Sequence, residues 1–172
     1  MIKRFTFAAL MALLVSPLAL AAQNPIRDSM KGVFDMTRTN VMATAQDLSP
    51  EMYAYRPTEE VRSAGQMLAH IASAQYSFCS AAAGESSPSS ENFEETRTTK
   101  QRIVEAVEQS FAYCERVYAG VTDATGGQSI NLSGAPNTRF GALSFNSIHN
   151  YEHYGNLVTY MRLNRIVPPS SR

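Results

Sequence analysis

Ser147-Ile148-His149-Asn150-Tyr151-Glu152-His153-Tyr154-Gly155-Asn156-Leu157-Val158-Thr159-Tyr160-Met161-Arg162 lies close to the C-terminus and holds two of the chain's three histidines. Its apolar residues recur at helical intervals, so the imidazoles of His149 and His153, at i and i+4, leave one side of a helix. With His149 as zero and about 100° per residue, His153 falls about 40° away, Asn156 at about −20°, Tyr160 at about 20° and Asn146 at about 60°. These five form one polar and aromatic stripe. Two neutral imidazoles so placed can hold one divalent ion, and His70, in another apolar, helix-like run, would complete a three-histidine site with positions open for water or substrate. Spacing alone leaves the alternative that the histidines are surface groups or hydrogen-bonded core residues. Glu152 stands before the second histidine instead of after the first, so the His-Glu-x-x-His zinc-protease signature is absent. A Ser-His-Asp arrangement would have to take a histidine from the same set.

Working outward, the stretch belongs to a fourth helix running from about Ala142 or Leu143 to Leu163 and stopped by Pro168-Pro169. Pro25 to about Gln46 reads as a first amphipathic helix, with Ile26, Met30, Val33, Phe34, Val41, Ala45 and Leu48 as its stripe. Ser49-Pro50 ends it. Glu51 to Thr58 is an ordered connector with aromatic contacts. Ser63-Ala64-Gly65-Gln66 fits a capping box and opens a second helix, from Ala64 to about Ala83, that carries His70. Gly84 stops it, and Glu85 to Asn92 is a serine-rich loop. The third helix is expected from Phe93 or Glu94 to Ala119, with Glu105 and Glu108 on a charged, solvated face. Gly120 to Gly141 shows no clear period and reads as a long loop that could cover a site. Four helices of about 20 residues, no convincing strand pattern and no internal repeat predict an all-α four-helix bundle.

Residues 1–22 are set apart. Lys3 and Arg4, the apolar stretch Phe5 to Leu20 and the small residues Ala19-Leu20-Ala21-Ala22 read as a secretory signal peptide, leaving a domain over 23–172. The chain has fifteen acidic and fifteen basic residues, two of the basic ones in the leader, so the mature charge is −2. That balance offers no footprint for nucleic acid or anionic lipid. The expected setting is periplasmic or secreted, with no stable membrane insertion after cleavage. Such a compartment permits a disulfide between Cys79 and Cys114. Were the second and third helices a simple hairpin, those cysteines would lie at opposite ends of the bundle, about 30 Å apart, and could not bond. Were they parallel, the segment after Gly84 would cross the bundle and the cysteines would share a level. The eight methionines read as core filler.

Tyr55-Arg56-Pro57, Leu68-Ala69-His70-Ile71-Ala72 within Ser63 to Ala72, His149 to Arg162, and the closing Ile166-Val167-Pro168-Pro169-Ser170-Ser171 together resemble the DinB/YfiT-like family of metalloenzymes. The resemblance covers nearly the whole mature chain. It implies a bundle of down-up-up-down course, with a crossover between helices 2 and 3, and a divalent metal, often nickel or zinc, on one histidine of the second helix and two of the fourth. Those positions are His70, His149 and His153 here. Asn156 departs from the glutamine common at that place in the family. Relatives include thiol-dependent S-transferases and a maleylpyruvate isomerase. The expectation is an exported, metal-dependent hydrolase or transferase acting on a small molecule, with Asn146, Asn156 and Tyr160 orienting ligands or substrate. A non-catalytic, stress-associated module, holding a structural ion or none and working through a homodimer or partner surface, is the competing class.

Overall fold

A computed structural model describes residues 23–172; the expected signal peptide lies outside the described residues. Four long helices make the body: α1 (Pro25–Asp47), α3 (Ala64–Ala83), α5 (Lys100–Gly120) and α7 (Arg139–Leu163). Between them lie three short helices, α2 (Pro50–Ala54), α4 (Phe93–Thr96) and α6 (Asp123–Gly126), and one hairpin, β1 (Ser129–Leu132) with β2 (Ala135–Thr138). No helix among the described residues is long and apolar enough to cross a membrane.

Side-chain contacts fix the directions. Arg27, at the start of α1, bonds the Ala119 carbonyl at the end of α5, so these two helices are antiparallel. Tyr160, late in α7, donates to the Arg62 carbonyl just before α3, so that pair is antiparallel as well. Cys79 and Cys114, each late in its helix, form a disulfide with Cα atoms 5.4 Å apart, so α3 and α5 run the same way. The course is down-up-up-down, and Gly84 to Thr99 is the crossover. Around the bundle α3 packs on α5 and α7, and α1 closes the opposite side against the same two helices.

Each long helix starts on a side chain that satisfies a free backbone donor or on a proline that has none to satisfy. Ser63 and Gln66 form the expected capping box of α3. Thr99 caps α5 at the Arg102 amide, and Thr138 caps α7 at the Gly141 amide. Pro25 opens α1. Gly84, at φ 76°, ends α3 in the left-handed region as expected. The core is built on Phe34 of α1, whose ring stacks on Tyr118 of α5 at 4.3 Å and tilts against Phe111 at 5.7 Å. All three rings are fully buried, and burial of each contributes roughly 1.5–3 kcal/mol.

Three expectations are corrected. The third helix does not begin at Phe93 or Glu94: Arg97 leaves the helical region at φ −103°, ψ 84°, so α4 stands apart and α5 starts at Lys100. The Gly120 to Gly141 segment is no plain loop, because it contains α6, the hairpin and the first turn of α7. Strands of four residues are too short to show a period, and the turn between them uses Ser133 at φ 53° and Gly134 at φ 86°, the pair of positive φ values that a tight hairpin needs. The α1 stripe is also only partly buried. Ile26 and Val33 are exposed, whereas Thr37 and Thr44 are buried, their hydroxyls turned back onto the Val33 and Asn40 carbonyls.

The disulfide closes a loop of sequence separation 35. Reducing it, or replacing both Cys79 and Cys114 by alanine, is expected to lower stability by about 3–4 kcal/mol, chiefly by freeing the unfolded chain. Urea denaturation of the oxidised and reduced protein measures this directly, and equal midpoints would refute it.

Candidate metal centre

The parallel setting of α3 and α5 leaves α7 antiparallel to α3, which puts the middle of α7 opposite the first half of α3. His70 of α3 and His149 and His153 of α7 meet there. The three ligating nitrogens lie within 4.8 Å of one another. Nε2 of His149 is 3.1 Å from Nε2 of His70 and 3.1 Å from Nε2 of His153. The rings of His149 and His153 stand nearly perpendicular, at 88°. Phe78, one turn short of the end of α3, covers His149 edge-on at 5.3 Å and is itself met by Phe145 at 5.2 Å.

Hydrogen bonding decides the tautomer of His70. Its Nδ1 lies 2.7 Å from Oε1 of Glu94. Glu94 is an ionised acceptor, so Nδ1 of His70 carries the proton and Nε2 is left with its lone pair facing the other two rings. Burial opposes ionisation of Glu94, yet hydrogen bonds from Arg62 and His70 outweigh it and hold the carboxyl below the usual range. Arg62 Nε binds the other oxygen, Oε2, at 2.8 Å.

His149 and His153 are held as neutral bases. Burial, followed by repulsion from His153 and His70, pushes the His149 pKa down to about 4. Burial, with repulsion from His70, pushes His153 down as well. Nε2 of a neutral imidazole offers either one proton or one in-plane lone pair. His149 Nε2 therefore cannot make two good hydrogen bonds, to His70 and to His153, at once. Three imidazole nitrogens brought this close could instead hold a cation.

The other expected residues sit elsewhere. Asn146 is fully buried, but its amide donates to the Tyr118 hydroxyl at 3.4 Å, away from the imidazoles. Tyr118 in turn bonds the Leu143 carbonyl at 2.5 Å and the Ser147 hydroxyl at 2.9 Å. Tyr160 is committed to the Arg62 carbonyl at 2.9 Å and packs edge-on against Tyr55. Asn156 is exposed. Glu105 and Glu108 are exposed on α5, as expected, and do not reach the histidines. Glu94 is the residue that sequence reasoning missed: it arrives from the crossover, and no spacing relates it to any histidine.

A family model of the DinB superfamily matches residues 34–157. The chain belongs to that superfamily. No curated protein matches it. Among solved structures, a DinB-like protein from Bacillus cereus superposes with a TM-score of 0.72 at 14% identity, covering 83% of this chain and 95% of that one. A DinB-like protein from Bacillus subtilis gives 0.62 at 20% identity, over 80% and 92%. A conserved protein from Enterococcus faecalis gives 0.65 at 16% identity, over 83% and 98%. At these identities the superpositions speak for the fold, and they place this chain's bundle with the DinB bundles.

Two outcomes follow from this geometry. Glu94→Ala frees Nδ1 of His70 and is expected to weaken divalent-metal affinity by about 10- to 100-fold, read by competition with a chromophoric chelator. The downward histidine shifts set the pH behaviour of the metal-free protein. His149 and His153 take up protons more readily unfolded than folded, so stability is steady above the ordinary histidine value and declines as pH falls through 6.5 toward about 4. Urea midpoints at pH 7 and pH 5 should therefore separate more for the wild type than for His149→Ala/His153→Ala; equal separations would refute it.

Proposed function

We propose that this DinB protein is exported and holds one divalent ion, nickel or zinc, on His70, His149 and His153, for hydrolysis or group transfer on a small molecule. The convergence of three imidazole nitrogens carries this reading. Nitrogens about 2.0–2.1 Å from a common ion lie about 2.8–3.0 Å apart at octahedral angles and about 3.3–3.4 Å apart at tetrahedral ones; two Nε2 separations here, at 3.1 Å, fall between these, and the full set lies within 4.8 Å. A bound divalent ion would supply Lewis acidity or a water of lowered pKa.

The chain's own groups do the rest. Glu94 keeps His70 in the tautomer that presents Nε2, and Phe78 shields one side of His149 from water. A closed structural site takes four protein ligands, whereas three converge here, and the neighbouring carboxylate of Glu94 is turned to Nδ1 of His70. That count favours a reactive centre over a structural ion. Export is supported by the apolar N-terminal sequence and by the Cys79–Cys114 disulfide, a bond that suits an oxidising compartment.

Elemental analysis of the untagged mature protein tests the reading. About one equivalent of nickel, zinc or another divalent ion is expected, and none in the variant with His70, His149 and His153 all changed to alanine. Metal in neither protein, after incubation with each candidate ion, would overturn it.

A further inference from the structure

A cavity of about 480 Å³ opens beside the histidine centre, between α2, the start of α3 and the start of α5. Its size is that of a small-molecule site. Pro50, Tyr53, Ala54 and Ile103 make an apolar floor, and Arg56, Arg97, Lys100 and Glu94 bring charge to its walls. We propose that this cavity seats the oxyanion head group, carboxylate or phosphate, of the small molecule on which the centre acts; the proposal rests on the metal reading above only for what happens next to the seat.

Charge pairing is the first argument. Glu94 is ion-paired with Arg62 and hydrogen-bonded by His70, and Arg97 is clasped by both oxygens of Glu91 at 2.9 and 2.8 Å. Arg56 and Lys100 have no carboxylate partner among the described residues. Arg56 reaches only neutral oxygens, Gln66 Oε1 at 3.0 Å and the Glu59 carbonyl at 3.4 Å. Lys100 Nζ donates to the Gln46 and Leu48 carbonyls at the end of α1, at 2.7 and 2.6 Å, and lies over the Tyr53 ring of the cavity floor at 5.9 Å, with one proton not engaged by an oxygen. Two cations without a carboxylate partner thus share one concave site.

Backbone donors add to them. Thr98, Thr99 and Lys100 line the cavity at the first turn of α5, a helix of 21 residues. The Thr99 side chain satisfies the Arg102 amide, and the amides of Lys100 and Gln101, one turn too early for intrahelical bonds, complement a negative group. Gln66 lines the cavity one turn before His70 on the same face of α3, about 6 Å along the helix, and Glu94 belongs to both the cavity wall and the His70 hydrogen bond. A head group held at Arg56 and Lys100 therefore lies beside Glu94, the carboxylate that holds the tautomer of His70.

Titration with phenyl phosphate and benzoate, followed by calorimetry and amide chemical shifts at low salt, tests this, with benzyl alcohol as the neutral control. Saturable binding of at least one anion is expected in the wild type and in the triple histidine-to-alanine variant alike. Arg56→Gln and Lys100→Gln should each weaken it about tenfold, the loss of one charge-assisted hydrogen bond, while Lys100→Arg retains it. Metal content should stay unchanged in Arg56→Gln. Binding that vanishes with the histidines but ignores Arg56→Gln would place the anion on the metal and overturn the proposal. So would equal binding of benzyl alcohol, or no binding of either anion. Should the wild type bind the anion through Arg56 yet hold no metal, the seat would stand and the metal reading would fall.

Discussion

The parallel pairing of α3 with α5 is the constraint on which the site depends. Parallel neighbours cannot be joined by a short turn, so the chain must return from Ala83, at the end of α3, to the level where α3 began before α5 can start. That return lays Glu91 to Thr99 beside the first half of α3. Phe93 is buried there against Tyr76, and its amide is bound by Ser73. With Phe93 fixed, the next residue, Glu94, is presented to His70. The carboxylate that sets the histidine tautomer is thus a consequence of topology, and the disulfide at the far end of the same two helices holds the topology in place.

This explains which parts were legible in the sequence. Helix periodicity, the Ser63–Gln66 capping box and Gly84 located α3 closely, because these signals are local and their hydrogen bonds lie within four residues of one another. His149 and His153 were legible for the same reason: i and i+4 share a face in any helix. The link between disulfide and crossover followed from length alone. What local pattern could not carry was contact made across the bundle. Glu94 was hidden because its partner lies 24 residues away on another helix. Asn146 fell on the right stripe, yet the Tyr118 side chain reaches across from α5 and claims its amide. Asn156 lies on the stripe too, level with the start of α3, yet solvent reaches it.

The interior of the bundle is more polar than its stripes suggested. Gln75 of α3 and Ser110 of α5 are fully buried and bonded to each other at 2.9 Å, and Asn146 and Asn150 of α7 are fully buried as well. Buried amides of this kind cost stability unless they are paired, and here Gln75 and Asn146 each use one side-chain atom while Asn150 uses neither among the described residues. Tyr118 is the hub: one face stacks on Phe34 of α1, while the hydroxyl joins Leu143, Ser147 and Asn146 of α7. One α5 side chain therefore ties α1 to α7 and sets the turn of α7 immediately before His149.

At the other end of the site a second junction works through charge. Glu94 divides its oxygens, Oε1 to His70 and Oε2 to Arg62. The Arg62 carbonyl accepts the Tyr160 hydroxyl, so a chain of three bonds runs from the imidazole, through the crossover and the approach to α3, to the last turns of α7. His149 and His153 stand on α7 between this junction and the Tyr118 hub. With α7 held on both sides of the pair, the convergence of the three Nε2 atoms does not rest on their own weak mutual contacts. It is imposed by bonds whose partners lie outside the cluster, so the three imidazoles are held together by the fold itself.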